Sequence, residues 1–390
     1  MIRLVSFLIL CAMLGMACQT QETASEPAVE FVANPQAVPE QTVETLPLGA
    51  DAPDFHLPGT DGKWYALQDF ADAKALAIVF TCNHCPTAQA YEERLIQLNQ
   101  DYAEQGLAVI AISPNSPLGL LYEELGYSDL GDTYEDMVLR DEGMNFPFPY
   151  LYDGDDHAAS LQYGPVATPH FFLFDEGRKL RYVGRMDKSE APGTANSEDA
   201  RAAIEALLAG EEVATPETKT FGCSTKWAWK TKWKDKVNAD WAALPVAIGQ
   251  IDTSGIRDLL ANDSDKLRLI NIWATWCGPC VLEYPEFIAI HRMFKGRDFE
   301  FVSLSADRPE QEGKALEFLQ KQQSAVQNYL FSQDDKYALI EAIDPNWNGA
   351  LPYTLLIEPG GKIAYAHQGS IDPLELKRAI VDHPMIGRYF

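Results

Sequence analysis

The chain has 390 residues, of which 46% are apolar and 23% charged, a balance typical of a globular protein with one or two domain cores. Its formal net charge of −26 repels nucleic acids and anionic lipid surfaces, so neither is expected as a partner. Two domains are the better expectation for this length.

The first residues, 1–17, have the composition of an export signal. Arg3 precedes an apolar run, 4–14, that is too short to span a bilayer stably. The run continues into Leu14-Gly15-Met16-Ala17-Cys18, which resembles a bacterial lipoprotein signal, although its Leu sits four residues before the cysteine instead of the usual three. We expect lipidation at Cys18, and ordinary cleavage after Ala17 is the alternative.

Residues 18–46 are rich in Gln, Thr, Glu, Ala and Pro and carry few large apolar side chains. Such a segment cannot bury a core and is expected to be a flexible tether. No later stretch is long and apolar enough to cross a membrane. The sequence therefore predicts an exported protein of the cell envelope or periplasm.

The first half begins with a continuous apolar run at 74–81, KALAIVFT, which predicts a strand buried on both faces. The following segment carries large side chains at helical spacing: Tyr91, Leu95, Leu98 and Tyr102. This helix is expected to stop near Gly106, and LAVIAIS at 107–113 predicts the next buried strand. The motif FTCNHCP at 80–86 thus lies at the strand-to-helix turn of a βαβ unit.

The second half repeats this plan. LRLINIWAT at 267–275 and FEFVSLSA at 299–306 predict buried strands. The helix between them has large side chains on one side: Tyr284, Phe287, His291 and Phe294. A second Cys-x-x-Cys motif, WATWCGPC at 273–280, again falls at the strand-to-helix turn.

Each half ends with a proline inside a strand-like stretch. Pro169 precedes HFFLF and the turn DEG, and Pro352 precedes YTLLIE and the turn PGG. Proline cannot donate a ladder hydrogen bond, and an X-Pro bond is where a cis peptide costs little. The two matched endings predict that the halves share one fold.

Five of the seven cysteines remain once Cys11 and Cys18 are set aside: Cys82, Cys85, Cys223, Cys277 and Cys280. Four of them form two tight Cys-x-x-Cys pairs in large domains, unlike the spread pairs of a structural disulfide framework. The start of a helix stabilises the thiolate that attacks disulfides, so the pairs predict redox activity. Soft thiolates also suit Cu(I), whereas zinc would need ligands from both pairs.

These motifs resemble the thioredoxin superfamily. The second half, over about 245–390, is similar to TlpA/ResA-like thiol-disulfide oxidoreductases through WATWCGPC, Pro285 and LPYTLLIEPGGKI. The first half, over about 48–226, resembles peroxiredoxin-like redoxins of the AhpC/TSA type through GADAPDFHLPGTDGKWYALQDF, FTCNHCP, TPHFFLFDEGRKLRYVGRMD and GCSTKW. The resemblance implies an α/β fold class with two tandem thioredoxin-like domains, each a mixed β-sheet flanked by helices. We predict these domains at 47–222 and 245–390, with a linker at 223–244.

In the second domain, Cys277 is expected to be the exposed nucleophile and Cys280 the resolving thiol. The resemblance implies that Pro352 is cis and packs against this pair, and Pro169 holds the corresponding place in the first domain. Where thioredoxin has a buried Asp, this chain has Asn271. We therefore expect Glu283, three residues after Cys280, to tune the pKa of the pair, and a solvated surface glutamate is the alternative.

The first pair leaves the nucleophile open. Pro86 suggests that the helix starts there and that Cys85 caps it, and Cys85 also corresponds to the peroxidatic cysteine. In the thioredoxin mode Cys82 attacks and Cys85 resolves, with His84 stabilising the thiolate. The usual peroxidase mode is disfavoured because the position of its Thr or Ser is taken by Cys82 and the run KALAIVFT upstream contains no proline. Cys223 is a candidate resolving cysteine, or a small buried residue.

The sequence thus predicts an envelope thiol-disulfide oxidoreductase that acts on protein dithiols or disulfides and exchanges electrons with an upstream redox partner. We expect no cofactor other than the redox-active disulfides, no resident metal, and membrane contact only through the lipid anchor. Two pairs would permit an electron relay between the domains. The alternatives are a thiol-dependent peroxidase using Cys85 and a Cu(I)-binding metallochaperone.

Overall fold

A computed structural model describes residues 31–389 of the chain. The predicted signal at 1–17 and the predicted lipidation site Cys18 lie outside the described residues. Within 31–389, no helix has the length and apolar character needed to cross a membrane.

The first half contains nine short or medium strands within the described residues: β1 His56–Pro58, β2 Trp64–Ala66, β3 Ala75–Phe80, β4 Leu107–Ser113, β5 Tyr150–Tyr152, β6 Ala167–Thr168, β7 His170–Asp175, β8 Leu180–Gly184 and β9 Cys223–Ser224. The helices here are α1 Pro86–Tyr102, α2 Tyr134–Met144, α3 Ser160–Tyr163, α4 Glu198–Leu208 and α5 Thr231–Ala242. The main sheet has the order β5-β4-β3-β7-β8. Its first three strands are parallel, and β7 and β8 are antiparallel to their neighbours.

The central strand β3 is buried on both faces, which explains its continuous apolar run. On one face Ala75, Ala77 and Val79 join a core with residues of α1 and α4. On the other face Leu76, Ile78 and Phe80 join a second core that includes Tyr163 of α3. The period of two along the strand thus divides its side chains between two helical layers.

The second half contains strands β10 Gly249–Ile251, β11 Leu267–Trp273, β12 Phe299–Ser305, β13 Gln327–Phe331, β14 Tyr353–Ile357 and β15 Ile363–Gln368. Its helices are α6 Thr253–Ala261, α7 Gly278–Phe294, α8 Glu312–Lys321, α9 Lys336–Ile343 and α10 Pro373–Val381. The sheet order is β10-β13-β12-β11-β14-β15. Strands β10 to β13 pair in parallel, and β14 and β15 are antiparallel additions.

The two sheets match strand for strand once the edge strand β10 is set aside. In each sheet the Cys-x-x-Cys motif follows the central strand, β3 or β11. The cis proline, Pro169 or Pro352, comes directly before the strand that pairs antiparallel with that central strand. The α7, α8 and α10 side chains cover one face of the second sheet, and those of α6 and α9 cover the other. The predicted fold class, two mixed α/β sheets flanked by helices, is confirmed.

Residues 31–46, predicted as part of a flexible tether, instead lie along the first half. The backbone N–H of Leu46 donates to Tyr163 O at 2.9 Å, and that of Gln36 donates to Asp155 O at 2.7 Å. The Phe31 ring packs edge-on against Tyr134 with 4.7 Å between centroids. The composition of this segment did not predict its packing, because one aromatic ring and a few backbone hydrogen bonds hold an otherwise polar segment in place.

The segment predicted as a linker, 223–244, is also folded. Cys223 pairs with Thr168, and the N–H of Ala228 donates to Nε2 of the buried His157 at 2.8 Å. The segment then forms α5, whose Trp241 receives the ammonium of Lys295 over its ring at 4.1 Å. This stretch therefore packs on both halves and docks them together.

The contact between the halves is completed by charged groups around the short 3₁₀ helix Tyr122–Leu125. The buried carboxylate of Asp129 accepts from Arg378 at 2.8 Å and from Arg388 at 2.5 Å. Arg297, just beyond α7, donates to the Gly126 carbonyl at 2.7 Å. The C-terminal end of α7, helix α10 and the residues after α10 therefore face the first half.

Candidate functional site

Both Cys-x-x-Cys motifs lie where a buried central strand ends and a helix begins. Cys85 caps α1, whose first residue is Pro86, and Cys277 caps α7. The unpaired N–H groups and the dipole of a helix stabilise a thiolate at this position. The structure places Cys85, and not Cys82, at the helix start, in agreement with the preference of proline for the first helical position.

Cys277 and Cys280 form a disulfide, and the N–H of Cys280 donates to Sγ of Cys277 at 3.3 Å. Only 5% of Cys277 and 1% of Cys280 are exposed. The expectation that Cys277 is exposed is therefore wrong for this disulfide form, because both cysteines lie in the apolar cluster that contains Trp273. The motif instead faces solvent through Trp276, which is 63% exposed.

The Thr168–Pro169 and Leu351–Pro352 peptide bonds are both cis. Leu351 packs against the apolar cluster that holds the second pair. In the first half, the Thr168 carbonyl accepts from the Cys85 thiol at 3.2 Å. The residue before each cis proline therefore lies near one cysteine pair.

Glu283 lies one helical turn after Cys280 on α7, and its side chain is buried. Its Oε2 accepts from the N–H of Ile371 at 3.0 Å. Burial raises the pKa of Glu283 to about 7, although hydrogen bonds from Ile371 and the buried Asn271 oppose the shift. The predicted surface alternative is excluded by this burial, and Glu283 can gain or lose a proton near neutral pH.

The first pair belongs to a cluster of three free thiols. Cys82 and Cys85 are 2% and 0% exposed, whereas Cys223 is half-buried. Cys82 Sγ lies 3.1 Å from Thr168 Oγ1, and the N–H of Cys223 donates to Cys85 Sγ at 3.4 Å. The structure therefore brings Cys223, which lies on β9, against the cysteine that caps α1.

The three thiols differ in acidity. Burial opposes the thiolate of Cys85, but hydrogen bonds from the Cys223 and Cys82 thiols and the charge of His84 hold its pKa well below the usual range. Burial and the hydrogen bond to Cys85 raise the pKa of Cys82 well above its usual range. The hydrogen bond to Cys85 and burial do the same for the pKa of Cys223. These directions make Cys85 the most acidic of the three thiols, and in its protonated form it donates to the Thr168 carbonyl.

His84 and Asp132 form a buried pair next to this thiolate. Nδ1 of His84 lies 2.5 Å from Oδ2 of Asp132. Burial by itself would lower the pKa of His84, but the Asp132 carboxylate raises it above its usual value. A protonated His84 favours the thiolate of Cys85, whereas the sequence-based prediction places this charge beside the attacking thiolate of Cys82 in the thioredoxin mode.

Comparisons with known proteins agree with this geometry. A model of the AhpC/TSA family matches residues 48–183, and a model of the Redoxin family matches residues 258–380. Thiol-disulfide oxidoreductase ResA of Bacillus subtilis strain 168 is 26% identical over 125 residues, which cover 31% of this chain and 63% of that protein. The chain belongs to the thioredoxin superfamily.

Two further proteins are similar to part of this thioredoxin-superfamily chain. Thiol:disulfide interchange protein DsbE of Allochromatium vinosum is 31% identical over 133 residues, which cover 34% of this chain and 65% of that protein. The crystal structure of a hypothetical protein from Sinorhizobium meliloti 1021 is 36% identical with a TM-score of 0.42, over 47% of this chain and 96% of that one. The chain spans 58% to 63% of the length of the first three curated relatives.

Cys82, His84 and Asp132 bring possible metal-ligand atoms within 4.8 Å of one another. The Asp132 oxygens are already occupied, however. Oδ1 accepts from the N–H groups of Asn83 and His84, and Oδ2 accepts from His84 and from Asn115 at 2.7 Å. These residues therefore fit a thiolate-stabilising charge relay better than a resident metal.

Three residues of the first site in this thioredoxin-superfamily protein were missed in the sequence. Asp132 lies in a loop before α2, Thr168 precedes the cis proline, and Gly222 precedes Cys223. Only Thr168 had a local signal, because it adjoins Pro169. Asp132 is one acid among the 57 acidic residues of the chain, and only the fold brings it to His84.

Proposed function

We propose that the protein is a thiol-disulfide oxidoreductase whose substrates are protein dithiols and disulfides. The observation that carries this proposal is the Cys277–Cys280 disulfide at the start of α7, with the buried carboxyl of Glu283 one turn away. Support also comes from the relatives named thiol-disulfide oxidoreductase ResA and thiol:disulfide interchange protein DsbE. The disulfide itself carries the two electrons, so the reaction requires no further cofactor.

The exchange begins when a substrate thiolate attacks Sγ of Cys277. The bond between the two sulfurs breaks, a mixed disulfide forms on Cys277, and Cys280 leaves as a thiolate. Glu283 supplies the proton that neutralises it, since residues three apart on a helix are neighbours. The second substrate thiol then attacks the substrate sulfur of the mixed disulfide and releases Cys277. The substrate loses two electrons, the domain gains them, and the reverse sequence reduces a substrate disulfide.

An electron relay between the two pairs is less well supported by the arrangement of the halves. The C-terminal end of α7 contacts the first half, whereas Cys277 caps the opposite end. A helix of 17 residues is about 25 Å long. Direct exchange between the pairs would therefore require the halves to separate, and we propose that each pair acts on external partners.

We place this activity in the cell envelope, with an anchor at Cys18. The support is the export-like segment at 1–17 followed by a cysteine in a lipoprotein-like context. An oxidising compartment also suits a disulfide as a working state. An upstream redox partner would then restore the disulfide after each oxidation of a substrate dithiol.

The decisive test is reduction of insulin by the full chain in the presence of dithiothreitol. Cys277→Ser and Cys280→Ser should each remove most of the activity, whereas Glu286→Gln, an exposed change on the same helix, should retain it. Unchanged turnover in both cysteine variants would overturn the assignment to the second pair. Peroxide consumption that depends on Cys85 would instead favour the peroxidase alternative.

Independence of the pairs is tested by the redox state of Cys82, Cys85 and Cys223 in the Cys277→Ser variant. Alkylation and mass mapping after incubation with substrate should give the same result as in the unmodified protein. A shift of these three cysteines toward the oxidised or the reduced state would show that the second pair normally exchanges electrons with them.

A further inference from the structure

Cys85, the most acidic thiol of the first half, has no direct access to solvent. Its side chain and that of Cys82 are buried, and Cys223 is the half-buried member of the cluster. A surface groove of about 410 Å³ opens in front of Cys223, lined by Thr87, Lys188, Glu190, Phe221, Gly222 and Cys223. An external thiol that enters this groove meets the Cys223 sulfur before it can meet Cys85.

The position of Cys223 is built into the fold. Strand β9 pairs with β6 so that Cys223 lies opposite Thr168, the residue before the cis proline. Gly222 has φ of +133°, and a Cβ there would lie 2.1 Å from the Thr168 carbonyl oxygen. Only glycine permits this close approach, which presents the N–H of Cys223 to Cys85 Sγ.

We propose that Cys223 is the thiol through which the first half exchanges electrons with external dithiols, and that Cys85 is its partner in a working disulfide. The proposal deepens the proposed thiol-disulfide function and rests on it. It departs from a simple Cys-x-x-Cys mechanism because the pair that works at the surface is Cys85–Cys223, and Cys82 supports the Cys85 thiolate from inside.

The chemistry of the three sulfurs suits this assignment. In the oxidised form, a thiolate of the external dithiol attacks Sγ of Cys223 and breaks the Cys85–Cys223 bond. Cys85 leaves, and the more acidic thiol is the better leaving group. The departing thiolate is held by the Cys82 thiol, the Cys223 N–H and the nearby charge of His84.

The mixed disulfide joins Cys223 to one sulfur of the external molecule. The second thiol of that molecule then attacks that external sulfur and releases Cys223. Cys223 takes one proton and the second proton goes to solvent, because Cys85 remains a thiolate. The external dithiol has lost two electrons and become a disulfide, and the first half has gained them. Exposed Lys188 and half-buried Phe221 on the groove fit a peptide segment that carries the thiol pair.

The test uses the full chain with Cys277→Ser and Cys280→Ser, so that the second pair is silent. After mild oxidation, peptide mass mapping should find Cys85 joined to Cys223. Rapid mixing with dithiothreitol should reduce this Cys85–Cys223 disulfide. In a variant that also carries Cys223→Ser, any disulfide that forms joins Cys82 to Cys85, and its reduction should be about tenfold slower or more. The matched variant Ser224→Ala, at the exposed neighbouring residue, should react like the parent.

A trapping experiment does not depend on the stability of the disulfide. In the same background with Cys85→Ser, dithiodipyridine should label Cys223 faster than Cys82, as mapped on peptides. Preferential labelling of Cys82, or an unchanged reduction rate in Cys223→Ser, would overturn the role of Cys223. Either result would leave insulin reduction by the second pair intact, so failure here is distinct from failure of the proposed function.

Discussion

The carboxylate of Asp132 lies 2.5 Å from Nδ1 of His84, and both side chains are buried behind the first dithiol. The pair is separated by 48 residues in sequence and is brought together by the loop before α2. Because Asp132 also accepts from Asn115 and from two backbone N–H groups, its charge is fixed in place. This arrangement lets a buried histidine keep its proton next to a thiolate.

Removing the Asp132 charge should therefore weaken the Cys85 thiolate. We expect Asp132→Asn to lower the pKa of His84 and to raise the titration midpoint of Cys85. The ultraviolet absorbance of the thiolate, followed against pH in the reduced protein, measures this midpoint. Asp136→Asn is the matched control, since the Asp136 carboxylate accepts from the N–H of Gly131 and does not contact His84. An unchanged midpoint in Asp132→Asn would show that the helix start alone sets the acidity of Cys85.

Glu283 should make the stability of the second half depend on pH. Its pKa is raised from 4.5 to about 7 by burial, so the folded state keeps a proton that the unfolded state releases. The free energy of unfolding should then fall as pH rises from 4.5 to about 7, by up to about 3 kcal/mol. Glu283→Gln should flatten this slope in urea unfolding of the oxidised protein, and Glu286→Gln should leave it unchanged. An equal slope in Glu283→Gln would assign the dependence to other groups.

The elements with strong local signals were predictable, and the long-range polar contacts were not. The runs at 74–81 and 267–275 became the central strands because both of their faces are apolar, and Pro86 marked the start of α1. The Cys-x-x-Cys pairs were predictable as site residues because each lies at a strand-to-helix turn. The two prolines were predictable because each precedes a strand that ends in a turn. Asp132 could not be found, since an acidic residue is informative only when its partner in space is known.

The same limit applies to the segments that connect the elements. Residues 31–46 and 223–244 have loop-like composition, so their packing rests on a few contacts that no periodicity reveals. Cys223 was noticed only because it is a cysteine. Its position opposite Thr168 depends on Gly222, whose backbone conformation is not encoded in any local pattern.

Gly222 offers a prediction about stability. Gly222→Ala should lower the free energy of unfolding of the first half by about 1–3 kcal/mol, because the new Cβ meets the Thr168 carbonyl and the positive φ is strained. Gly210→Ala provides the comparison, since Gly210 also has positive φ but nothing within 4 Å of the added Cβ. Urea unfolding followed by tryptophan fluorescence measures both variants. Equal losses would mean that the contact with Thr168 contributes little.

Asp129 should hold the two halves together. Its buried carboxylate accepts from Arg378 and Arg388 of the second half, and the hydrogen bonds from these residues keep its pKa below the usual value despite burial. Because Arg378 is about half exposed, we expect Asp129→Ala to cost about 1–2 kcal/mol, less than a fully buried pair. The stabilisation should be present above pH 3.8 and be lost as pH falls through the lower folded pKa.

The measurement for Asp129→Ala is limited proteolysis at neutral pH, because the exposed segment 242–245 connects α5 to the second half. Weaker docking should speed cleavage there, while the sheets of both halves survive as resistant fragments. Asp382→Ala is the control: it removes the other partner of Arg388 but leaves the contact with Asp129 in place. Cleavage at the same rate in both variants and in the unmodified protein would show that α5 and Arg297 suffice for docking.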